Sequence, residues 1–379
     1  MWSRFCALLL FGVVNALTAV EKGQLQRRDV LKGAGVAALS GLTTSVVGAS
    51  EIKQKLDLGK IGIGAWAWGD SLFWGYDPKN DAQLKECFDF LATNPQTGFI
   101  DTAEVYGFGR SENLIGEFAK GIPNFKTPIA TKFAALPWRT SANDVVKACE
   151  ASLKRLDRPC IELYQIHFPN GWANEQYWDG LADCVDKGLV KAVGVSNYGS
   201  EAIKACQASL ARRGIPLTSN QIQYSLLYRY PEENGLLQTC KNLNVDVLAY
   251  SPLGLGLCTN TYTRENQKLP KGPREQLTKT YLADDRFVAL QNSLDMIARR
   301  HNAVPAAVAL NWVRAKGAIP IAGARNLKQV KQNLASLDWD FSTDELAELD
   351  TIANELPWLG IKPPFAEKDL FTGMKMFDS

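Results

Sequence analysis

Four side chains at the ends of three apolar runs could together carry one proton-coupled reaction. Asp101 and Tyr106 lie in Phe-Ile-Asp-Thr-Ala-Glu-Val-Tyr-Gly at 99–107. Lys132 closes the run Pro-Ile-Ala-Thr-Lys, and His167 follows Ile-Glu-Leu-Tyr-Gln-Ile. A phenol, an ammonium, a carboxylate and an imidazole form a proton-donating set suited to reducing a carbonyl. The carbonyl carbon takes hydride, and the oxygen must take a proton from a positioned acid. The chain has only two histidines, His167 and His301, so one at such a position is informative.

The elements that must hold these groups repeat one pattern past residue 55. Short apolar runs fall at 61–68, 99–102, 129–131, 163–166, 192–195, 220–223, 247–249 and 319–322. Amphipathic, helix-like stretches follow them at 82–93, 142–156, 174–187, 201–213, 232–243, 287–300, 306–316 and 327–334. Ser342-Thr-Asp-Glu345 reads as a capping box that opens a last helix. Eight strand–helix alternations predict an α/β fold, a (β/α)8 TIM barrel spanning 50–379 as one domain. An open doubly wound sheet is the alternative. It calls for a glycine-rich first turn, which Gly62-Ile-Gly64-Ala-Trp66 does not supply. The polar stretch 259–285, with Pro270-Lys-Gly-Pro-Arg274, reads as a loop on the active face or a surface insertion.

In a barrel, polar residues at the C-terminal ends of the strands line the active site. Asp101, Lys132 and His167 end the second, third and fourth strands. Ser196 and Asn197 end the fifth, Gln221 lies in the sixth, Tyr250 and Ser251 end the seventh, and Gly323 to Arg325 follow the eighth.

Composition is that of an ordinary globular protein, 46% hydrophobic and 22% charged. The first 49 residues hold five of the 42 basic and two of the 40 acidic residues, leaving 37 against 38. That balance gives no electrostatic case for nucleic acid. Eight cysteines form no Cys-x-x-Cys pair and no cluster with metal-ligand spacing, so they read as packing residues and no metal is expected.

Residues 1–49 read as a cleavable targeting leader. Arg4 and the apolar run to Val14 suit a secretory signal core. Gln26-Arg-Arg-Asp-Val-Leu-Lys32, a small-residue apolar stretch and Val47-Gly-Ala49 then resemble a twin-arginine export signal with its cleavage site. A single anchor with incidental arginines is the simpler alternative. The tandem arrangement is similar to targeting in algae with extra plastid membranes. It points to a plastid, with the thylakoid lumen ahead of the stroma and the secretory pathway as the alternative. Gly33-Ala-Gly-Val-Ala-Ala38 follows no strand and reads as part of the leader, not a dinucleotide site.

Over about residues 56–355 the chain resembles the aldo/keto reductase superfamily. The resemblance rests on the 99–107 motif, Ala-Thr-Lys-Phe, Leu-Tyr-Gln-Ile-His, Val-Gly-Val-Ser-Asn, Ser-Asn-Gln-Ile-Gln-Tyr-Ser and Leu-Ala-Tyr-Ser-Pro-Leu, in that order. Ala65-Trp-Ala-Trp-Gly-Asp70 and the run from Ala130 to Arg139 look closest to uncharacterised plastid reductases of plants and algae. The resemblance implies a catalytic tetrad of Asp101, Tyr106, Lys132 and His167. Tyr106 would be the general acid, Lys132 would lower its pKa from about 10, Asp101 would hold Lys132, and His167 would orient the carbonyl. It also implies NADPH as cofactor. Ser196, Asn197 and Gln221 would hold the carboxamide, and Tyr250 would stack on the nicotinamide. Ser251 and Leu253 would meet the pyrophosphate, and Gly323, Arg325, Gln329 and Asn333 the adenosine end. A cation at Arg325 can pair with a 2′-phosphate, favouring NADPH over NADH. Ala322 departs from the proline that many relatives carry there.

The resemblance implies a small-molecule carbonyl substrate, with sugar-like, pyridoxal-like, quinone-like and lipid-derived aldehydes all open. Trp66, Trp68, Trp138 and Trp172, with Phe73 and Trp74, could wall its pocket or pack helices. A second functional class is open too: an NADPH-binding, redox-sensing subunit with slow turnover.

Overall fold

The computed structural model describes residues 55–266, 268–272 and 274–356. The leader at 1–49 lies outside the described residues. Eight parallel strands form a closed barrel in sequence order, β1 Gly62–Gly64, β2 Phe99–Asp101, β3 Ile129–Phe133, β4 Ile161–Ile166, β5 Val190–Ser196, β6 Leu217–Gln223, β7 Asp246–Tyr250 and β8 Ile319–Gly323. Gly64 pairs with Asp101 on one side and Gly323 on the other, which closes the ring. This is the (β/α)8 TIM barrel that the alternation predicts.

Helices lie between the strands: α1 Asp81–Thr93, α2 Arg110–Ala119, α3 Ala142–Leu156, α4 Asn174–Asp186, α5 Ser200–Ala211, α6 Tyr230–Glu233 and α7 Leu236–Asn242. Then come α8 Arg274–Ala283, α9 Asp285–Arg300, α10 Pro305–Ala315, α11 Leu327–Leu334 and α12 Thr343–Glu355. α3 shows how local sequence sets an element. Ser141 and Asp144 form a reciprocal capping box, and Asp157 ends the helix in the left-handed region at φ 54°. Val145, Cys149, Ser152, Leu153 and Leu156 recur at helical spacing and are buried. The capping box at Ser342 and Glu345 opens α12 as expected.

Three local expectations needed revision. The first strand is only three residues long, because the chain turns back at once, with the Trp68 N–H bonding the Ala65 carbonyl at 2.9 Å. The helix expected at 232–243 splits into α6 and α7 at Gly235, whose φ of 77° a helix interior cannot hold. The polar stretch after β7 contains a real helix, α8. Seven cysteines among the described residues are free thiols, and all but Cys160 are buried.

The strand period of two divides the barrel interior into layers. Phe99, Ala130, Leu163, Ala192, Leu248 and Ile321 form an apolar plug. A Cβ on Gly62 would meet the Phe99 ring at 2.4 Å, so that glycine makes room for the plug. Two residues further along the strands come Asp101, Lys132 and Gln165, all buried and polar. The plug supports this polar floor and keeps water from reaching it from the opposite end.

Candidate active site

Lys132 is wholly buried on β3. Its ammonium donates to Asp101 Oδ1 at 2.6 Å, to the Thr102 carbonyl at 2.7 Å and to Tyr106 Oη at 3.3 Å. All three protons are therefore directed. Tyr106 opens the short turn after β2, and the His167 ring meets it edge-on with centroids 5.8 Å apart. β2, β3 and β4 are neighbours in the barrel, so residues 101, 106, 132 and 167 converge on one face.

The second Asp101 oxygen accepts from Gln221 Nε2 at 2.8 Å, across the barrel on β6. Ser196 Oγ donates to the Gln221 carbonyl at 2.8 Å. Asn197, at φ 61°, donates to the His167 carbonyl at 3.2 Å and to Ser196 Oγ at 3.1 Å. Tyr250 donates its hydroxyl to Asn197 Oδ1 at 3.1 Å. Six strands, β2 to β7, thus feed one hydrogen-bonded network. Beyond β7, Ser251 and Leu255 both have positive φ, and Leu253 sits between them at the head of a tight turn. After β8, Asn333 donates to the Gly323 carbonyl at 3.2 Å, and Gln329 accepts from the Arg325 N–H at 2.8 Å. The Arg325 side chain is exposed.

Lys132 and Asp101 are buried, while Tyr106 and His167 are half-buried above them. Burial lowers the Lys132 pKa, while Asp101 and Glu112 act to raise it. Burial, together with Asp101 and Asp70, pushes the Tyr106 phenol well above the usual range. The sequence expectation was the reverse, a phenol pulled down by Lys132. The ammonium is near, but desolvation of the phenolate outweighs it. Burial and the Lys132 charge bring the His167 imidazole down to about 3.

The tryptophans do not form one wall. Trp66 stacks on Phe73 with centroids 5.0 Å apart and lies 6.0 Å from Tyr106 at 27°. Trp68 is wholly buried, with its indole N–H on the Ala324 carbonyl at 2.7 Å, so it packs under the site and lines no pocket. Trp138 and Trp172 stand exposed on the loops after β3 and β4.

Residues 60–354 match the aldo/keto reductase family. The chain belongs to the aldo/keto reductases. It is 39% identical over 319 residues to the chloroplastic pyridoxal reductase of Arabidopsis thaliana, covering 80% of this chain and 85% of that one. It is 32% identical over 265 residues to a probable aldo-keto reductase of Glycine max, covering 66% and 74%. Among solved structures, an aldo-keto reductase from Klebsiella pneumoniae in complex with NADPH superposes with TM-score 0.62 at 25% identity, covering 81% and 96%. A glycerol dehydrogenase from Gluconobacter oxydans gives 0.68 at 27%, covering 81% and 94%. This reductase is therefore an oxidoreductase of that family.

Two groups of the reductase escaped the sequence reading. Arg274 opens α8, is 8% exposed, and lies 4.6 Å over the Trp74 ring. Its Nε has no hydrogen-bond partner among the described residues, and its charge is felt by that of Arg325. The signal was masked by a Pro-Lys-Gly-Pro run that reads as loop. Glu104 lies between Asp101 and Tyr106 in the 99–107 motif. It accepts from the Ala134 N–H at 2.6 Å and from Arg139 at 2.5 Å, fixing the loop that carries Trp138.

A neutral His167 makes a pH prediction. Its folded pKa, about 3, lies below its ordinary 6.5. The unfolded chain therefore binds a proton that the folded one refuses, and acidification through that window removes stability. From about pH 8 down to pH 5 one of the two histidine ring signals in an NMR titration should stay fixed, and turnover should show no imidazole limb. A titrating midpoint near 6.5 for His167 would contradict the half-buried, neutral ring.

Proposed function

We propose that the reductase reduces an aldehyde or ketone with NADPH, and that Tyr106 is the general acid. The observation that carries this is the Lys132 ammonium, held by Asp101 and reaching the Tyr106 hydroxyl at 3.3 Å. NADPH, when bound, supplies the hydride. Tyr106, kept neutral by burial, gives its proton to the oxygen as charge develops there. Lys132 compensates the phenolate left behind, and a neutral His167 donates one ring N–H to the same oxygen. Ser196, Asn197 and Gln221 would hold the carboxamide, Tyr250 the ring face, and Ser251 and Leu253 the pyrophosphate. Gly323, Gln329 and Asn333 would hold the adenosine end.

Fit for the phosphorylated cofactor rests on two arginines. Arg325 is exposed beyond β8, and the buried Arg274 has an unpaired Nε. Two cations whose charges oppose one another favour an anion between them. Arg325→Ala should weaken NADPH by about 1.5–3 kcal/mol and NADH far less. Equal weakening in a fluorescence titration would remove its role at the 2′-phosphate.

For substrate, the stacked rings of Trp66, Phe73 and Tyr106 suit a planar carbonyl compound, and the named activity of the Arabidopsis relative agrees. A pyridoxal-like aldehyde is the proposed class. A panel of aldehydes with purified residues 50–379 tests it by NADPH oxidation. Indifference to ring planarity would reject that class, and tight cofactor retention with no turnover would favour the redox-sensing subunit.

The proposed location is the plastid, the lumen ahead of the stroma, supported by the two-part leader and by the chloroplastic relative. A fluorescent fusion of residues 1–60 should enter plastids. Arg27→Lys with Arg28→Lys should block only the thylakoid step. Cytosolic signal from the native leader would overturn the proposal.

A further inference from the structure

Asp70 belongs to neither the tetrad nor the cofactor set, yet it organises the loop that faces both. Its Oδ2 accepts from the Trp66 indole N–H at 2.8 Å, and its Oδ1 from the Leu72 and Phe73 N–H groups, each at 2.9 Å. Its carbonyl accepts from the Tyr76 N–H at 3.0 Å. One residue therefore fixes the chain from 66 to 76 and sets the Trp66 rotamer. The loop also touches the proton donor's own turn. A Cβ on Gly107 would meet the Gly69 carbonyl oxygen at 2.3 Å, so the two backbones are in direct contact next to Tyr106.

Five titratable groups contact the Tyr106 side chain or are coupled to it electrostatically. Asp101 and Lys132 come from β2 and β3, His167 follows β4, Tyr250 ends β7, and Asp70 comes from the loop after β1. The Asp101 charge is met by Lys132 at 2.6 Å. The hydrogen bonds to Asp70 come from neutral N–H donors. No cation pairs with Asp70 among the described residues, and the residue is half-buried, so solvent screens its charge only in part.

We propose that Asp70 is a positioning residue for the proton donor: it fixes Trp66 against the face of Tyr106 and sets an uncancelled negative charge against formation of the phenolate. This rests on the reading of Tyr106 as the general acid. In reduction, hydride from NADPH forms the C–H bond, the Tyr106 proton goes to the alkoxide, and the phenolate is reprotonated from solvent. In alcohol oxidation the phenolate takes the hydroxyl proton and NADP⁺ takes the hydride. Asp70 makes that phenolate scarcer, so it holds the oxidative direction to higher pH.

The test is the pH profile of alcohol oxidation with NADP⁺, beside aldehyde KM and kcat, for the native enzyme and four variants. Asp70→Asn should move the rising limb to lower pH by about half a unit or more. It should also raise aldehyde KM several-fold, because an amide cannot satisfy all three donors. Trp66→Phe keeps the carboxylate, so it should raise KM and leave the limb in place. Asp70→Glu should keep the limb too, which separates charge from loop geometry if the asparagine variant melts early. An unmoved limb in Asp70→Asn, with Tyr106→Phe inactive, overturns the role of Asp70 and leaves the general acid standing. A Tyr106→Phe enzyme with native turnover overturns both.

Discussion

Tyr106→Phe should bind NADPH as the native reductase does and turn over at least about 100-fold more slowly. The substitution removes one oxygen and keeps the ring, so the stacking against Trp66 and the edge contact with His167 survive. What is lost is the one neutral proton donor that Lys132 touches in the site. His167 cannot replace it, because a neutral imidazole with its pKa near 3 is a far weaker acid partner than an imidazolium. Single-turnover kinetics with a deuterated nicotinamide would locate the loss in the chemical step. Native-rate reduction by the phenylalanine enzyme would assign the proton to another group.

Lys132→Met should cost stability as well as activity. Asp101 is 3% exposed, and its charge is balanced by Lys132 at 2.6 Å. Removing the ammonium leaves a buried carboxylate with only Gln221 as a donor. Breaking a buried pair from one side costs about 3–5 kcal/mol, and a melting temperature lower by roughly 5–10 °C is expected. Turnover should fall at least as far as in Tyr106→Phe, since the phenolate would form with no counter-charge. Pairing the change with Asp101→Leu should restore much of the melting temperature and none of the turnover, because two apolar residues replace a buried ion pair whose desolvation cost offsets much of its attraction. A Lys132→Met protein that melts within a degree of native would show that Asp101 is not charged in the folded state.

Much of this was legible in the sequence, for a physical reason. Strand ends in a parallel barrel have fixed positions, so a polar residue closing an apolar run declares its place on the active face. Asp101, Lys132, His167, Ser196 and Tyr250 all do so, whereas Gln221 lies inside its strand. The loops were less legible, because their conformation is set by contacts distant in sequence. Trp68 was read as a possible wall, but its indole is claimed by the Ala324 carbonyl, 256 residues away. Arg274 was hidden in a polar run and gains meaning only above Trp74. The direction of the Tyr106 shift was misread because sequence shows which charges are near and not how dry the site is.

The bond from Gln221 to Asp101 also bears on how the chain assembles. The groups read as proton chemistry, from Asp101 to His167, come from β2 to β4, and those read as holding the cofactor, from Ser196 to Asn333, come from β5 onward. The bond crosses that divide over 120 residues of chain. During refolding, recovery of NADPH oxidation should therefore require the seam between the two halves to close, whenever helical signal returns.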